Sequence, residues 1–311
     1  MYDFFNLYYH PIYTAGINKQ SKFPRERYQL LYEKLISDRV KYNIRFKNAK
    51  MVDKSIINRT HEPEYVDRFL NSKLDKKEIR RIGLKPWNSN IIERTLRITG
   101  GSLTAMEDAI SSGGLSGNMA GGTHHAHREF GSGFCIFNDL AICAKVALED
   151  YNLNNILIID LDVHQGDGTA EILKNEKRAY TVSIHCSSNF PFKKYTSDLD
   201  ISLESDTDDN QYLNVLADTI DFLENIPSDL ILFQAGVDVL FNDRYGNLKL
   251  TRKGLKLRNK MIFEFAKKRE NPVCIFMGGG YSEPIDNTVN AFKDLFILAS
   301  KYHKKYISSY A

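Results

Sequence analysis

Hydrophobic and polar residues alternate along this chain in two kinds of pattern. Short apolar runs rich in Ile, Val and Phe predict buried strands, because each run ends abruptly in polar residues or glycine. Longer segments between them carry apolar residues at helical spacing. The predicted strands span residues 155–160, 179–185, 229–234 and 272–277.

Helical spacing is clearest in residues 212–223, 255–266 and 285–298, and in 28–35 after Pro24. Asn138 and Asp139 are the candidate caps of a further helix over 140–148. Alternation of strands and helices predicts an α/β fold of three αβα layers around a central parallel sheet. Residues 1–311 show no repeat or long linker, so we expect a single catalytic domain.

Composition narrows the class of protein. The 42 Lys and Arg residues nearly balance 39 Asp and Glu residues, and the resulting charge of +3 is scattered, so we expect no nucleic-acid binding. Four dispersed cysteines without a CxxC pair predict reduced, mostly buried thiols. We expect a cytoplasmic protein without a membrane span, because no signal-peptide pattern and no apolar run of about 18 residues is present. The sequence carries no signal about oligomeric state.

The most informative segment is ILIIDLDVHQGDG, residues 156–168. Asp160, Asp162 and His164 follow an apolar run at intervals of two, and such residues point to the same side of an extended chain. Acidic residues after a strand can also cap a helix or face solvent. Three aligned donors at the carboxyl end of a buried strand favour a metal site with an open position for water.

Three other glycine-containing segments carry candidate chemistry. In residues 121–139, three roles remain open for His124 and His125: metal ligands, a proton-transfer pair or solvated loop residues. We expect the nearby His127 to be solvated. A proton-transfer pair needs orienting carboxylates, and Asp160 and Asp167 are available. The two remaining segments, 234–251 and 277–281, offer the side chains Asp238, Asp243 and Tyr281.

Together these segments resemble the zinc-dependent histone deacetylase family, which implies an arginase/deacetylase-like α/β fold. The motifs HEPEYVDRFL, GGTHHAHREFGSGFCIFND, IDLDVHQGDGTA, SIHCSSNFPF, QAGVDVLFNDRYGNLKLT and GGGY follow one another in the family's order. Gln165 after His164, and FPF after the SIH strand, are similar to class IV members and their bacterial relatives.

The resemblance implies a role for each matching residue. The zinc ligands would be Asp162, His164 and Asp243, with one Zn²⁺ per chain. Proton transfer would use His124 and His125, with Asp160 and Asp167 as their partners, and Tyr281 would hydrogen-bond the substrate carbonyl. The substrate would contact Gly133, Phe134, Gly279 and Gly280, with Phe190 or Phe192 as the opposite wall. A structural K⁺ would lie at Asp160, Asp162, His164, Ser183 and Ile184.

The implied activity is zinc-dependent hydrolysis of ε-N-acyl-lysine in proteins by a metal-activated water. His125 would be the general base, and His124 would tune the site electrostatically. Gln165 and the altered SSNFPF loop suggest long fatty acyl chains as better substrates than acetyl. Because the net charge is small, recognition of a basic protein would have to come from acidic residues at the tunnel rim or from the acyl chain itself.

Three alternatives remain. The same fold could act on acetylpolyamines or another small amide, although no long inserted loop precedes Gly121. A two-manganese ureohydrolase such as arginase is disfavoured because Gly166 lies two residues beyond His164, where further carboxylates would be needed. A non-catalytic binding protein would lack a ligand or the tyrosine, yet all of these residues are present.

Overall fold

Eight strands form one parallel sheet in the computed structural model, which describes residues 3–308. Its neighbouring strands pair in the order β2-β1-β3-β8-β7-β4-β5-β6. The strands are β1 (Phe5–Tyr9), β2 (Ile44–Asn48), β3 (Leu115–Asn118), β4 (Ile156–Asp160), β5 (Ala179–Cys186), β6 (Leu199–Leu203), β7 (Leu230–Gln234) and β8 (Val273–Phe276).

The strand order explains where a site can form. The chain passes directly from β3 to β4, yet β7 and β8 lie between them in the sheet. Strands β3, β8, β7 and β4 are therefore neighbours, and the loops after their carboxyl ends meet at one edge. Open parallel sheets place their binding sites in such a crevice.

Helices cover the sheet in two groups. The helices are α1 (Ile12–Ala15), α2 (Glu26–Ile36), α3 (Lys54–Asn58), α4 (Pro63–Leu70), α5 (Lys76–Ile82), α6 (Asn90–Ser112), α7 (Asp139–Glu149), α8 (Asp167–Leu173), α9 (Asp209–Leu223), α10 (Arg252–Lys268) and α11 (Asp286–Ile307). One packed row consists of α2, α11, α10 and α9 in that order, and another consists of α6, α7 and α8; α6 and α11 both pack against β1 and β3.

The predicted three-layer α/β architecture is confirmed, as are the four predicted strands, which are β4, β5, β7 and β8. Asn138 caps α7, since its Oδ1 accepts a hydrogen bond from the Ala141 N–H at 3.0 Å. All four cysteines are free and buried, as expected. No helix within residues 3–308 is both long enough and apolar enough to cross a membrane.

A fully buried arginine fixes two of the strand ends. Arg258 on α10 donates from Nη1 to the carbonyls of Leu161 (3.1 Å) and Gly236 (2.7 Å), and from Nη2 to that of Ala235 (3.2 Å). These carbonyls follow β4 and β7 directly. The guanidinium thus replaces water as the partner of buried backbone groups and holds the two loops at a set separation.

Candidate active site

Potential metal ligands gather where β4 and β7 end. Asp162, His164 and Asp238 each offer one ligand atom, and these atoms all lie within 4.8 Å of one another. His164 Nδ1 is 3.0 Å from Asp162 Oδ1 and 3.2 Å from Asp238 Oδ2. Two carboxylate oxygens and one imidazole nitrogen are a donor set that suits Zn²⁺.

The electrostatics of this cluster favour a cation. Burial opposes protonation of His164, but Asp162 and Asp238 outweigh it and raise the pKa of His164 to about 10. Burial, with Asp162 nearby, raises the pKa of Asp238 to about 7. Asp238 Oδ2 is buried and makes no hydrogen bond among the described residues; its 3.2 Å contact with His164 Nδ1 is an ion pair without hydrogen-bond geometry. A buried carboxylate oxygen without a hydrogen bond is costly unless a cation compensates it, so the donor set fits a metal ion.

Asp243, the third ligand implied by the resemblance, is hydrogen-bonded to backbone N–H groups and is not part of the cluster of Asp162, His164 and Asp238. Its Oδ1 accepts hydrogen bonds from the N–H groups of Tyr245 (2.9 Å) and Gly246 (3.1 Å), and its Oδ2 accepts one from Tyr281 N–H (2.6 Å). Burial raises its pKa. The structure therefore brings Asp238 into the ligand cluster beside Asp162 and His164, and Asp243 as a ligand remains a prediction.

Glycine 279 lets the backbone after β8 approach this cluster. Its N–H donates to Asp162 Oδ2 at 2.7 Å. A Cβ atom at this position would lie only 1.8 Å from Asp238 Oδ2. No side chain fits there, which explains why the chain carries glycine at this point.

His124 is held between two carboxylates. Its Nδ1 lies 2.7 Å from Asp160 Oδ2, and its Nε2 lies 3.8 Å from Asp162 Oδ1. Burial opposes protonation, but these carboxylates outweigh it and raise the pKa of His124 to about 9. A histidine in this setting favours the charged form, which is consistent with an electrostatic role.

His125 has the opposite tendency. Its ring centre lies 4.0 Å from that of His124, and its Nδ1 lies 2.6 Å from Asp167 Oδ1. Burial and the adjacent His124 lower the pKa of His125 to about 4 despite the attraction of Asp167. The Asp167 bond orients the ring and leaves Nε2 for proton transfer.

The expectation that His127 is solvated is wrong. Only 4% of this residue is exposed, and its Nε2 lies 3.0 Å from Asp167 Oδ2. Its ring stacks on Phe130 at 4.5 Å and contacts Tyr195 at 4.9 Å. Asp167 therefore shares its two oxygens between two histidines, and the attraction of these two rings and their hydrogen bonds hold the pKa of Asp167 well below the usual range in spite of burial.

Tyr281 closes the site from the β8 side. Burial raises the pKa of its hydroxyl well above the ordinary value, so it remains a donor at neutral pH. The preceding glycines are fixed by Arg27 on α2, which donates to the carbonyls of Gly280 (3.0 Å) and Gly278 (3.1 Å). Sequence reasoning missed Arg27, because nothing in its helical stripe distinguishes it from an ordinary surface arginine.

A cavity of about 570 Å³ leads to these groups. Phe134 forms one wall, held by a hydrogen bond from its N–H to Ile82 O (2.8 Å) with φ +67°, which is unusual for an aromatic residue. Gly133, which precedes Phe134, leaves room for His125, because a Cβ atom at position 133 would lie only 2.6 Å from His125 Cδ2. Phe190 packs its edge against His125 at 4.8 Å, whereas Phe192 is 92% exposed at the mouth.

Three of the residues expected around a monovalent cation, Asp160, Ser183 and Ile184, lie on adjacent strands, and the other two, Asp162 and His164, lie in the loop after β4. Asp160 on β4 is directly opposite Ser183 on β5, and Ile184 follows on the same strand. Ser183 Oγ lies 3.0 Å from His185 Nδ1. The structure thus places Asp160 beside Ser183, and a K⁺ ion at these five residues stays a prediction.

Asp139 anchors the histidine loop, a role that sequence reasoning missed. Its carboxylate accepts hydrogen bonds from the N–H groups of Gly122 (3.1 Å) and Thr123 (2.8 Å) and from the Ser102 hydroxyl (2.6 Å). The expectation that it caps a helix did not anticipate these partners. Because α7 holds Asp139 in place, it also fixes the backbone that precedes His124.

Comparison with known proteins assigns the family. Residues 21–293 match the family model of the histone deacetylase domain. The chain belongs to the histone deacetylase family. It is accordingly a hydrolase that acts on amide bonds, with activity of the deacetylase type.

Relatives of this deacetylase-family chain occur in bacteria and plants. An uncharacterized protein of Picosynechococcus is 40% identical over 286 residues, which cover 92% of this chain and 95% of that protein. Histone deacetylase 2 of Arabidopsis thaliana is 31% identical over 58% of this chain and 48% of its own length. The acetoin utilization protein AcuC of Staphylococcus aureus is 30% identical over 71% of this chain and 62% of its own length.

Proposed function

We propose that this protein hydrolyses ε-N-acyl-lysine side chains of proteins, using one Zn²⁺ ion per chain. The observation that carries the proposal is the position of the Asp162, His164 and Asp238 cluster beside two His–Asp pairs, with Asp162, His164 and both histidines lining one cavity. A metal and a proton-transfer pair together remove the need for a covalent nucleophile.

The residues present fit the metal. Asp162 and His164 would hold it, with Asp238 or Asp243 as the third ligand. Zn²⁺ bound there would polarise the amide carbonyl and lower the pKa of water. His125 takes a proton at Nε2 and returns it to the departing lysine amine, since Asp167 fixes its Nδ1. Tyr281 donates its hydroxyl to the oxygen on which negative charge develops.

We further propose that long acyl chains are better substrates than acetyl, as the resemblance to class IV members implies. The cavity is also lined by the apolar or aromatic side chains of Phe23, Tyr28 and Ile98. Its volume of about 570 Å³ lies within the range of pockets that enclose drug-sized ligands, which is far larger than an acetyl group needs. These apolar walls support burial of additional methylene groups.

A panel of lysine peptides with acyl groups from acetyl to myristoyl tests both proposals. We expect hydrolysis that a hydroxamate chelator abolishes, kcat/KM that rises with chain length, and one zinc per chain by elemental analysis. Faster acetyl turnover would refute the chain-length preference alone. Activity that persists after chelation would refute the metal assignment, and turnover of N-acetylpolyamines but of no peptide would refute the protein substrate.

A further inference from the structure

A cation stands at the mouth of the cavity without a carboxylate partner. Arg81, in the last turn of α5, is exposed and lines the cavity together with Gly83 and Phe134. Its Nε donates to Gly131 O at 3.0 Å, and its guanidinium carbon lies 4.0 Å from the centre of the Phe130 ring. The side chain is therefore held in place by a carbonyl and an aromatic face, not by an opposite charge.

The charge of Arg81 is not neutralised by its surroundings. The acidic residue one turn earlier, Glu78, is already paired with Arg68 at 2.7 Å. Within residues 3–308, Arg81 makes no ion pair, and its two terminal nitrogens make no hydrogen bond. A guanidinium anchored through Nε presents these two nitrogens as a planar fork, which matches a carboxylate.

Two lysines follow the cavity-lining residue Phe192 along the chain. Lys193 is exposed beside Phe192, and Lys194 donates to the carbonyls of Asn189 and Pro191, both at 2.6 Å, instead of to a carboxylate. Among the described residues that line the cavity, the acidic one is Asp162, which lies buried at its floor. Of the two routes by which a basic protein could be recognised, acidic residues at the rim or the acyl chain itself, this lining does not support the first, and its positive charge disfavours basic peptides and polyamines.

We propose that Arg81 binds an Asp or Glu carboxylate close to the acylated lysine, so that the preferred substrates are acyl-lysines in acidic sequence. This inference rests on the proposed function and specifies its substrate class. The carboxylate belongs to the protein and not to the acyl group, because Arg81 is exposed, whereas the acyl group would be held in the cavity beside the buried His124 and His125.

Three peptides that differ only at the residues flanking one acyl-lysine test the proposal, with Glu, Gln or Lys at those positions. We expect the wild-type kcat/KM to be about twofold to tenfold higher for Glu than for Gln, and lowest for Lys. High salt should reduce this ratio. Arg81→Gln should bring the Glu/Gln ratio close to one, whereas Arg80→Gln, a change at the exposed neighbour outside the cavity, should preserve it.

Each comparison is a ratio within one variant, so a general loss of folded enzyme cancels. Arg81→Glu should reverse the order and favour the Lys peptide. An unchanged Glu/Gln ratio in Arg81→Gln, or no preference and no salt dependence in the wild-type protein, would overturn the inference. Hydrolysis of all three peptides at equal rates would do so while leaving the proposed function intact, and hydrolysis of none would overturn both.

Discussion

Substitution of Asp167 by Asn should separate the orientation of His125 from the shape of the site. Asp167 Oδ1 is 2.6 Å from His125 Nδ1, and Oδ2 is 3.0 Å from His127 Nε2. Asparagine keeps the size of the side chain but offers a single acceptor oxygen for two imidazoles that both require one. One histidine must then lose its partner or change its tautomer.

The expected loss follows from the bond to His125. A hydrogen bond to a charged group contributes about 1.5 to 3 kcal/mol, and about 1.4 kcal/mol corresponds to a tenfold change in rate. If His125 loses its oriented partner, kcat should fall by about 10- to 150-fold. We expect KM to change by less than about twofold, because Asp167 does not line the cavity.

Steady-state hydrolysis of an acyl-lysine peptide measures both constants, and elemental analysis verifies that the variant still holds zinc. His127→Gln and His127→Leu are the matched controls, since Gln keeps an N–H group that can reach Asp167 and Leu does not. We expect the Gln variant to retain more of kcat than the Leu variant. A zinc-loaded Asp167→Asn enzyme with kcat within twofold of wild type would refute the assignment of His125 as the oriented base.

Two further predictions concern the oxyanion and acid stability. Tyr281→Phe should lower kcat about 10²- to 10³-fold with KM little changed, and an unaltered kcat would remove its hydroxyl from the mechanism. Burial lowers the pKa of His61 from 6.5 to about 4 in the folded protein. As the pH falls from 6.5 to 4, the unfolded chain therefore binds a proton at His61 before the folded protein does, and the folded protein loses stability. The contribution of His61 to this loss should be about 2 kcal/mol at pH 5. His61→Gln keeps an acceptor for Asn138 N–H but does not titrate in this range. Urea unfolding at pH 7.5 and pH 5.0 should therefore show a smaller decrease in the free energy of unfolding for this variant than for the wild type. An equal decrease in both proteins would contradict this explanation.

The strands that the sequence pattern revealed are those with both faces buried. All five residues of β4 and of β7 are buried, so they form continuous apolar runs. The edge strands β2 and β6 expose polar residues such as Arg45 and Ser202, and their pattern does not stand out from loop sequence. Strand β3 has only four residues, LSGN, and small or polar side chains hide its central position.

The site residues also divide into those that a local sequence pattern reveals and those that it does not. Asp160, Asp162 and His164 were found because strand spacing places them together, and Asp238 was visible as one of two acidic candidates after β7. The burial of His127 depends instead on Phe130 and on Tyr195, which is distant along the chain. No local pattern reports a contact of that kind.

The anchoring groups were hidden for a related reason. Asp139 and Arg27 act on backbone atoms of segments remote from their own positions, Arg27 on glycines more than 250 residues away. Their residue types are ordinary for a helix start and for a helix near the surface. Only the folded arrangement shows that one holds the histidine loop and the other holds the glycines before Tyr281.

The late insertion of β7 and β8 between β3 and β4 has a consequence for synthesis of the protein. Until β8 leaves the ribosome, the nascent chain lacks the strand that joins the two parts of its sheet. Strand β3, and β7 after it has paired with β4, then each have an unpaired inner edge, which is open to association with other chains. Catalytic competence and protection from aggregation should therefore be acquired in the same late step, after most of the chain has already been translated.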